Sequence, residues 1–166
     1  MEIERKYLIE DPGKLPQNYQ DFPFHEIEQA YLCTNPVVRI RREDEQYYLT
    51  YKGKGLLARE EYNLPLTKEA YEHLLPKADG IILQKRRINI PLIRDLSPRH
   101  ELTIELDIFS GEYQGLILAE VEFPSIEEAE SFTPPEWFGR DVTFSGEYQN
   151  SRLSAGKDKQ VKNHEL

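Results

Sequence analysis

The chain has 166 residues, which fits one domain with a sizeable core. Its formal net charge of -9 argues against nucleic acid or an anionic membrane as a partner. The single cysteine, Cys33, excludes an internal disulfide and a structural zinc site, and it favours a reducing, cytoplasmic compartment. No apolar run is long enough to cross a bilayer, and the acidic N-terminus does not fit a signal peptide.

The first half of the chain is predicted to form short strands separated by polar turns. The predicted strands cover 1–9, 24–33, 37–43, 46–55 and 58–66, and the Pro- and Asp-rich stretch 10–23 is predicted as a loop. Glu43-Asp44-Glu45 marks the turn of a hairpin. Thr67 is predicted to cap a helix that runs to about Leu75.

The second half adds strands over 81–92, 101–111 and 116–123. Ser125 and Glu128 form a capping box, which predicts a short helix that ends before Pro134. Eight strand-like segments with few helices predict a mainly β (α+β) domain over 1–153, with one antiparallel sheet closed or nearly closed into a barrel. Residues 154–166 are predicted to form a polar, mobile tail.

Charges on the polar faces of these strands are sorted by sign. Side chains alternate between the two faces of a strand, so residues two apart share a face. Acids share faces at Glu2 and Glu4, at Glu101, Glu105 and Asp107, and at Glu120 and Glu122; bases do so at Arg39 and Arg41, and at Lys85 and Arg87. A solvated sheet face also alternates, but it mixes signs and avoids placing like charges together.

Such sorting has an energetic consequence. Two carboxylates about 4 Å apart repel by roughly 4 kcal/mol at an effective dielectric constant near 20. A divalent cation would offset this repulsion, and carboxylate oxygens select Mg²⁺, Mn²⁺ or Ca²⁺. A bound polyanion would in the same way offset the repulsion among the bases. Acids that hold a metal beside bases that hold an anion are the general form of a phosphoryl-transfer site.

Glu2-x-Glu4-x-Lys6 resembles the ExExK signature of the CYTH superfamily, the triphosphate tunnel metalloenzymes. That superfamily includes class IV adenylyl cyclases, thiamine triphosphatases and bacterial inorganic triphosphatases. The resemblance continues in order over about 1–153, through EQAYL, VVRIRR, YYLTYKG, LAREEY, LQKRR, IELDIF, LAEVEF and PPEWFGRDVT. It is closest to the short bacterial inorganic triphosphatases, and it implies an eight-stranded antiparallel barrel around a charged tunnel, with Ile3, Tyr7 and Ile9 facing outward.

The resemblance also implies roles for individual residues. The implied metal ligands are Glu2, Glu4, Glu120 and Glu122, with Asp107 and Glu61 completing or supporting the site. The implied triphosphate-binding residues are Lys6, Arg39, Arg41, Lys52, Arg59, Lys85 and Arg87. Catalytic roles fall on Glu4, Lys85 and Tyr31; Tyr31 is either a proton acceptor or a packed strand aromatic, and Glu61 suits a structural salt bridge equally well.

Two positions depart from the pattern of the family. Asn63 stands where many relatives carry a third acid after REE, which removes a charge near the tunnel. Tyr148-Gln149-Asn150 replaces a more basic YKN segment, so a phosphate contact from this segment stays open.

The leading hypothesis is hydrolysis of a triphosphate, above all inorganic tripolyphosphate, with one or two Mg²⁺ or Mn²⁺ ions. The alternatives are a class IV-type adenylyl cyclase, a thiamine triphosphatase, a polyphosphate- or nucleotide-binding module without turnover, and a barrel whose charges are structural. The expected partner is a small-molecule polyphosphate or nucleoside triphosphate, with no nucleic acid or membrane, and the expected state is a monomer or homodimer.

Overall fold

The structure, a computed structural model, describes residues 1–92 and 101–156. The part of the predicted tail from 157 onward therefore lies outside the described residues. The strands are β1 Glu2–Leu8, β2 Phe24–Thr34, β3 Val37–Glu43, β4 Gln46–Lys52, β5 Ala58–Arg59, β6 Glu61–Leu66, β7 Asp79–Leu92, β8 Leu102–Ser110 and β9 Ile117–Glu122. The helices are α1 Lys68–Leu74, α2 Ile126–Glu130 and α3 Asn150–Ala155, with 3-10 turns at Pro12–Lys14, Tyr19–Asp21, Leu75–Lys77 and Gly111–Tyr113.

All strands described belong to one antiparallel sheet, in the order β5-β1-β9-β8-β7-β2-β3-β4-β6. The outermost strands, β5 and β6, are consecutive in the chain and separated only by Glu60. β5 pairs with β1 through Glu2↔Arg59, whereas β6 pairs with β4 through Lys52↔Glu61. The sheet therefore curls into a nearly closed barrel, as predicted. It has nine strands rather than eight within the described residues, because the predicted strand over 58–66 is broken at Glu60.

The main apolar core lies on the outer face of this barrel. Ile3, Tyr7 and Ile9 pack there with outward side chains of β7, β8 and β9, under α2 and the aromatic segment that follows it. The Tyr7 ring lies 4.9 Å, between centroids, from the ring of Phe138. Burying one such side chain stabilises the fold by about 1.5–3 kcal/mol. The usual polarity of a small barrel is thus inverted, and the expectation that these residues face outward is confirmed.

A second apolar cluster contains inward-facing residues of the barrel and packs against α3. Tyr31, Leu83, Phe109 and Leu118 contribute from the sheet, and Leu153 contributes from α3. The backbone of α3 lies directly on β7 at Gly80, where φ is +70° and an added Cβ would lie 2.2 Å from the carbonyl oxygen of Ser154. We infer that α3 and this cluster cover one end of the barrel interior.

Local capping signals set the first two helices. The backbone N–H of Ala70 donates to Thr67 Oγ1 at 3.1 Å, and that of Glu128 donates to Ser125 Oγ at 3.2 Å, as predicted. No helix is predicted over the segment of α3. Its residues NSRLSA are mostly polar and too few to be helical alone, so packing on β7 stabilises the helix. Within the described residues, no helix combines the length and the apolar composition that crossing a membrane requires.

Candidate active site

The barrel encloses a charged cavity of about 240 Å³. Strand alternation points the lining side chains of the sheet inward, while neighbours such as Ile3 and Val121 join the apolar core outside the barrel. The described lining residues are Glu2, Glu4, Tyr31, Arg39, Arg41, Glu43, Lys52, Arg59, Glu61, Arg87, Glu105, Glu120, Glu122 and Asn150.

The register between β1 and β9 brings acidic side chains of the two strands together in the cavity. Glu4 pairs with Glu122, and Lys6 pairs with Glu120. Glu120 is held by cations, because its Oε1 lies 3.2 Å from Lys6 Nζ and its Oε2 lies 3.3 Å from Arg87 Nη2. Burial alone would raise the pKa of Glu120, but Lys6 and Arg87 hold it well below the ordinary value. Glu120 is therefore an ionised carboxylate at neutral pH.

Glu2 lies in a second group of charges at the junction of β1, β4 and β5. Lys52 Nζ lies 3.0 Å from Glu2 Oε1 and 3.5 Å from Glu61 Oε2, and Arg59 Nε lies 3.5 Å from Glu2 Oε1. Burial and a hydrogen bond shared with Glu61 raise the pKa of Glu2 to about 8. Glu2 and Glu61 therefore share one proton near neutral pH, because two negative charges so close together are unfavourable.

Glu4 and Glu122 differ from these acids because neither makes an ion pair or side-chain hydrogen bond with any residue in the described ranges. Burial, together with the neighbouring Glu120, raises the pKa of Glu4. Burial, together with Glu105, raises that of Glu122. Lys52 lowers the pKa of both carboxylates, but it does not offset the effects of burial and of the neighbouring acids.

Arg39 and Arg41 on β3 are cations that make no ion pair with a carboxylate of the described residues. Arg41 donates from Nε and Nη2 to Gln29 Oε1, at 3.1 and 2.7 Å, and Arg39 donates from Nη2 to Thr50 Oγ1 at 3.3 Å. In the described part of the chain, no carboxylate lies within ion-pair distance of either guanidinium. Burial and the adjacent Arg39 lower the pKa of Arg41 to about 10, so it stays protonated at neutral pH.

Three predicted site residues, Lys6, Lys85 and Asp107, do not line the cavity. Lys85 Nζ lies 2.7 Å from Asp107 Oδ2, and both side chains are fully buried. Arg87 donates from Nε and Nη2 to the same carboxylate at 2.7 and 2.8 Å, and it also bonds Glu105. Asp107, predicted to complete or support the metal site, is therefore occupied by cations, and its contact holds Arg87 in place at the cavity wall.

The donor chemistry of the cavity fits a hard divalent cation. Its acidic side offers carboxylate oxygens alone, which suits Mg²⁺ or Mn²⁺. As the side chains stand, the described residues contain no group of three or more Asp, Glu, His or Cys arranged to share one ion. Glu2 and Glu120 are turned toward lysines, whereas Glu4 and Glu122 have free oxygens. A cation beside this last pair would supply the missing positive charge.

The structure brings all the other predicted site residues to one cavity, and it adds Glu43, Glu105 and Asn150. Period two gives a signal for two of these, because Glu105 shares a face with Asp107 and Glu43 shares one with Arg41. Asn150 comes from α3; the resemblance points to its segment, Tyr148-Gln149-Asn150, only as a whole and assigns no role to Asn150 itself. Its side-chain Oδ1 is buried and has no hydrogen-bond partner within the described chain.

A nearly closed antiparallel barrel with a charged interior cavity defines a tunnel-type β-barrel protein. The model of the CYTH domain family matches residues 1–155, and the chain belongs to that family. The resemblance recognised from Glu2-x-Glu4-x-Lys6 and the segments that follow it is thereby confirmed.

Similar proteins match over most of their length. The chain is 35% identical over 158 residues to the inorganic triphosphatase of Nitrosomonas europaea, a match that covers 92% of this chain and 96% of that protein. It is 28% identical to the inorganic triphosphatase of Acetivibrio thermocellus, with 92% of each chain covered.

Solved structures agree with this assignment. The crystal structure of the inorganic triphosphatase NE1496 matches with a TM-score of 0.67 and 31% identity, over 95% of this chain and 96% of that one. A putative adenylate cyclase from Bacillus halodurans matches with a TM-score of 0.53 and 17% identity, over 93% of this chain and 91% of that one. The second likeness is one of fold alone.

Proposed function

We propose that the protein is a metal-dependent triphosphatase that hydrolyses inorganic tripolyphosphate inside its barrel. One observation carries this proposal: within the described residues, a single cavity contains two carboxylates that make no ion pair, Glu4 and Glu122, and two guanidiniums that make none, Arg39 and Arg41. A metal ion and a polyanion bound together would neutralise both groups. The inorganic triphosphatases among the relatives support the same substrate.

Small size and polarity of the cavity favour a substrate without a nucleobase. Its volume is about 240 Å³, and Tyr31 is the single aromatic or apolar side chain among its described lining residues. Pockets for drug-sized organic ligands are typically about 300–1,000 Å³ and mostly apolar. This favours inorganic tripolyphosphate over ATP or thiamine triphosphate, and hydrolysis over cyclisation of ATP.

In the proposed mechanism, the triphosphate enters with its non-bridging oxygens toward Arg39 and Arg41. Both guanidiniums offer charge-assisted hydrogen bonds to phosphate oxygens. Arg87, fixed by Asp107, contributes a further positive charge at the wall of the cavity. Glu4 and Glu122, together with Glu2 or Glu120, would hold one or two Mg²⁺ or Mn²⁺ ions, whose positive charge would offset the negative charge of the transferred group.

The attacking water requires a group that accepts its proton, and Tyr31 and the cavity carboxylates are the candidates. Tyr31 pairs with Arg39 across β2 and β3, and its hydroxyl makes no hydrogen bond within the described chain. General base catalysis contributes about 10²–10⁴-fold, so a Tyr31→Phe variant distinguishes the candidates. A fall of kcat in that range assigns the proton to Tyr31, whereas near-unchanged kcat assigns it to a carboxylate and leaves Tyr31 a packing residue.

The test of the function is the release of phosphate from tripolyphosphate, ATP and thiamine triphosphate with Mg²⁺ and with Mn²⁺. Cyclic AMP is measured in the ATP reaction. We expect metal-dependent release that is fastest with tripolyphosphate, and no cyclic AMP. A folded protein that hydrolyses none of the three would refute the proposal, and cyclic AMP without free phosphate would assign the cyclase alternative.

We also propose a cytoplasmic location and a monomeric or homodimeric state, with neither nucleic acid nor membrane as partner. The single unpaired Cys33 and the net charge of -9 support this setting. Size-exclusion chromatography with light scattering measures the oligomeric state directly.

A further inference from the structure

We propose that Gln29, Thr50 and Asn63 are positioning residues that hold Arg39 and Arg41 through neutral oxygens, so that the full charge of both guanidiniums is left for the substrate. The inference rests on the proposed function for the identity of the anion, a triphosphate. The hydrogen bonds that hold the two guanidiniums are formed by the chain's own side chains and do not depend on that proposal.

Other bases of the barrel interior provide the contrast. Lys6, Lys52, Lys85, Arg59 and Arg87 each lie within 4.0 Å of a carboxylate oxygen. Among the described bases that face the interior, Arg39 and Arg41 lack such a carboxylate and are instead bound by an amide and a hydroxyl. A cation whose charge is already matched by an acid gains less from a phosphate than one that is not.

Gln29 fixes the orientation of Arg41. It lies opposite Arg41 in the ladder of β2 and β3, is completely buried, and accepts two hydrogen bonds on one oxygen. A carboxylate would hold a guanidinium with the same two-point geometry, but it would also cancel its charge. The amide therefore gives the geometry without the neutralisation.

Thr50 and Asn63 do the same for Arg39. Thr50 Oγ1 donates its proton to Asn63 Oδ1 at 2.6 Å, which leaves the hydroxyl oxygen to accept from Arg39 Nη2. Asn63 Nδ2 in turn donates to Glu61 Oε1 at 2.8 Å. Two neutral side chains thus stand between Arg39 and the nearest acid of this network.

Unpartnered donors at the same place point to a ligand. Arg39 Nε and Gln29 Nε2 are both buried and have no hydrogen-bond partner in the described part of the chain. Leaving buried donors unsatisfied and two guanidiniums adjacent is costly unless an acceptor binds there. An anion with several oxygens close together, such as a phosphate group of a polyphosphate, satisfies the donors and the charges at once.

Replacing a neutral holder by an acid tests the inference. Gln29→Glu places a carboxylate on Arg41, and Asn63→Asp extends a negative charge toward Arg39. The matched control is Gln20→Glu, which makes the same change of charge at an exposed site outside the barrel. Kinetics with tripolyphosphate are combined with calorimetric titration of tripolyphosphate into metal-free protein, so that altered metal affinity does not enter.

Gln29→Glu is expected to weaken tripolyphosphate binding and raise KM by about a hundredfold, with kcat changed by only a few fold. Asn63→Asp is expected to weaken binding by about tenfold, because its charge acts through Thr50. Gln20→Glu is expected to behave as wild type. Thermal unfolding checks each variant, and Asn63 is exposed, so Asn63→Asp keeps the test valid if Gln29→Glu does not fold.

Binding within twofold of wild type in Asn63→Asp and in folded Gln29→Glu would overturn the inference, and so would a loss confined to kcat. Wild-type protein that binds tripolyphosphate without hydrolysing it, and loses binding in these variants, would support the inference while refuting the proposed function. If the wild-type protein hydrolyses tripolyphosphate and both variants hydrolyse it equally well, the proposed function is supported and the inference is refuted.

Discussion

Asp107→Asn removes the negative charge at the centre of the buried network beside the cavity. Lys85 Nζ lies 2.7 Å from Asp107, and Arg87 donates two further hydrogen bonds to the same carboxylate. Asparagine preserves the shape of the side chain, but it leaves Lys85 buried without its negative partner. Burial lowers the pKa of Lys85 to about 7 even with Asp107 beside it to raise it, so the ammonium depends on Asp107 to remain charged there.

Breaking a buried ion pair by removing one partner costs about 3–5 kcal/mol. In a domain of this size each kcal/mol corresponds to roughly 2–4 °C in Tm, so we expect Tm to fall by roughly 6–20 °C. The assay is urea unfolding together with calorimetry. The double variant Lys85→Met with Asp107→Leu serves as the control, because it restores the part of the loss that comes from the unpaired Lys85, while Arg87 still lacks its carboxylate. A free energy of unfolding for Asp107→Asn within about 1 kcal/mol of wild type would refute the reasoning.

Dependence on pH gives the same experiment a second readout. Burial would raise the pKa of Asp107, but Arg87 and Lys85 hold it below its ordinary value of about 3.9. The unfolded state therefore binds a proton before the folded state does as the pH falls. Asp107 stabilises the fold fully above about pH 4, and this contribution is lost as the pH falls through the lower folded pKa. Acid unfolding should consequently be steeper in wild type than in the double variant.

Three further predictions concern the metal site, the end of the barrel and a helix cap. Glu4→Gln should lower the affinity for Mn²⁺ by more than about tenfold without lowering Tm, as measured by metal titration of activity. Gly80→Ala should destabilise the protein by more than Gly111→Ala does, because both positions have positive φ but only at Gly80 would the new Cβ meet Ser154; equal losses in denaturant unfolding would contradict the close packing of α3. Thr67→Ala should cost about 1 kcal/mol in the same measurement and leave phosphate release unchanged.

Much of the barrel was predictable because strand periodicity and charge act over a few residues. The alternation of Glu2, Glu4 and Lys6 assigned one face of β1, and the positions of like charges indicated that this face is not an ordinary solvated one. The caps at Thr67 and Ser125 were predictable for the same local reason.

Features that depend on tertiary packing were not predictable in this way. The pairing of Asp107 with Lys85 follows from the register of β7 and β8 and from burial, which no spacing along the chain encodes. The break at Glu60 lies where the chain changes its pairing partner, from β1 for β5 to β4 for β6. Asn150 reaches the cavity only because α3 packs on Gly80, and a six-residue polar helix has no periodic pattern to reveal it.

The outward position of the apolar core separates two demands that most small proteins combine. Side chains such as Ile3 and Tyr7 support the fold on the outside, while the cavity lining at Arg39 or Glu4 meets solvent and ligand from within. Exchanging a charged lining residue such as Glu4 therefore opens no hole in the hydrophobic packing, unlike exchanging Tyr31, which packs in the second apolar cluster. Successive substitutions in the charged lining can therefore change which anion the cavity prefers, while the outer apolar core keeps the fold stable.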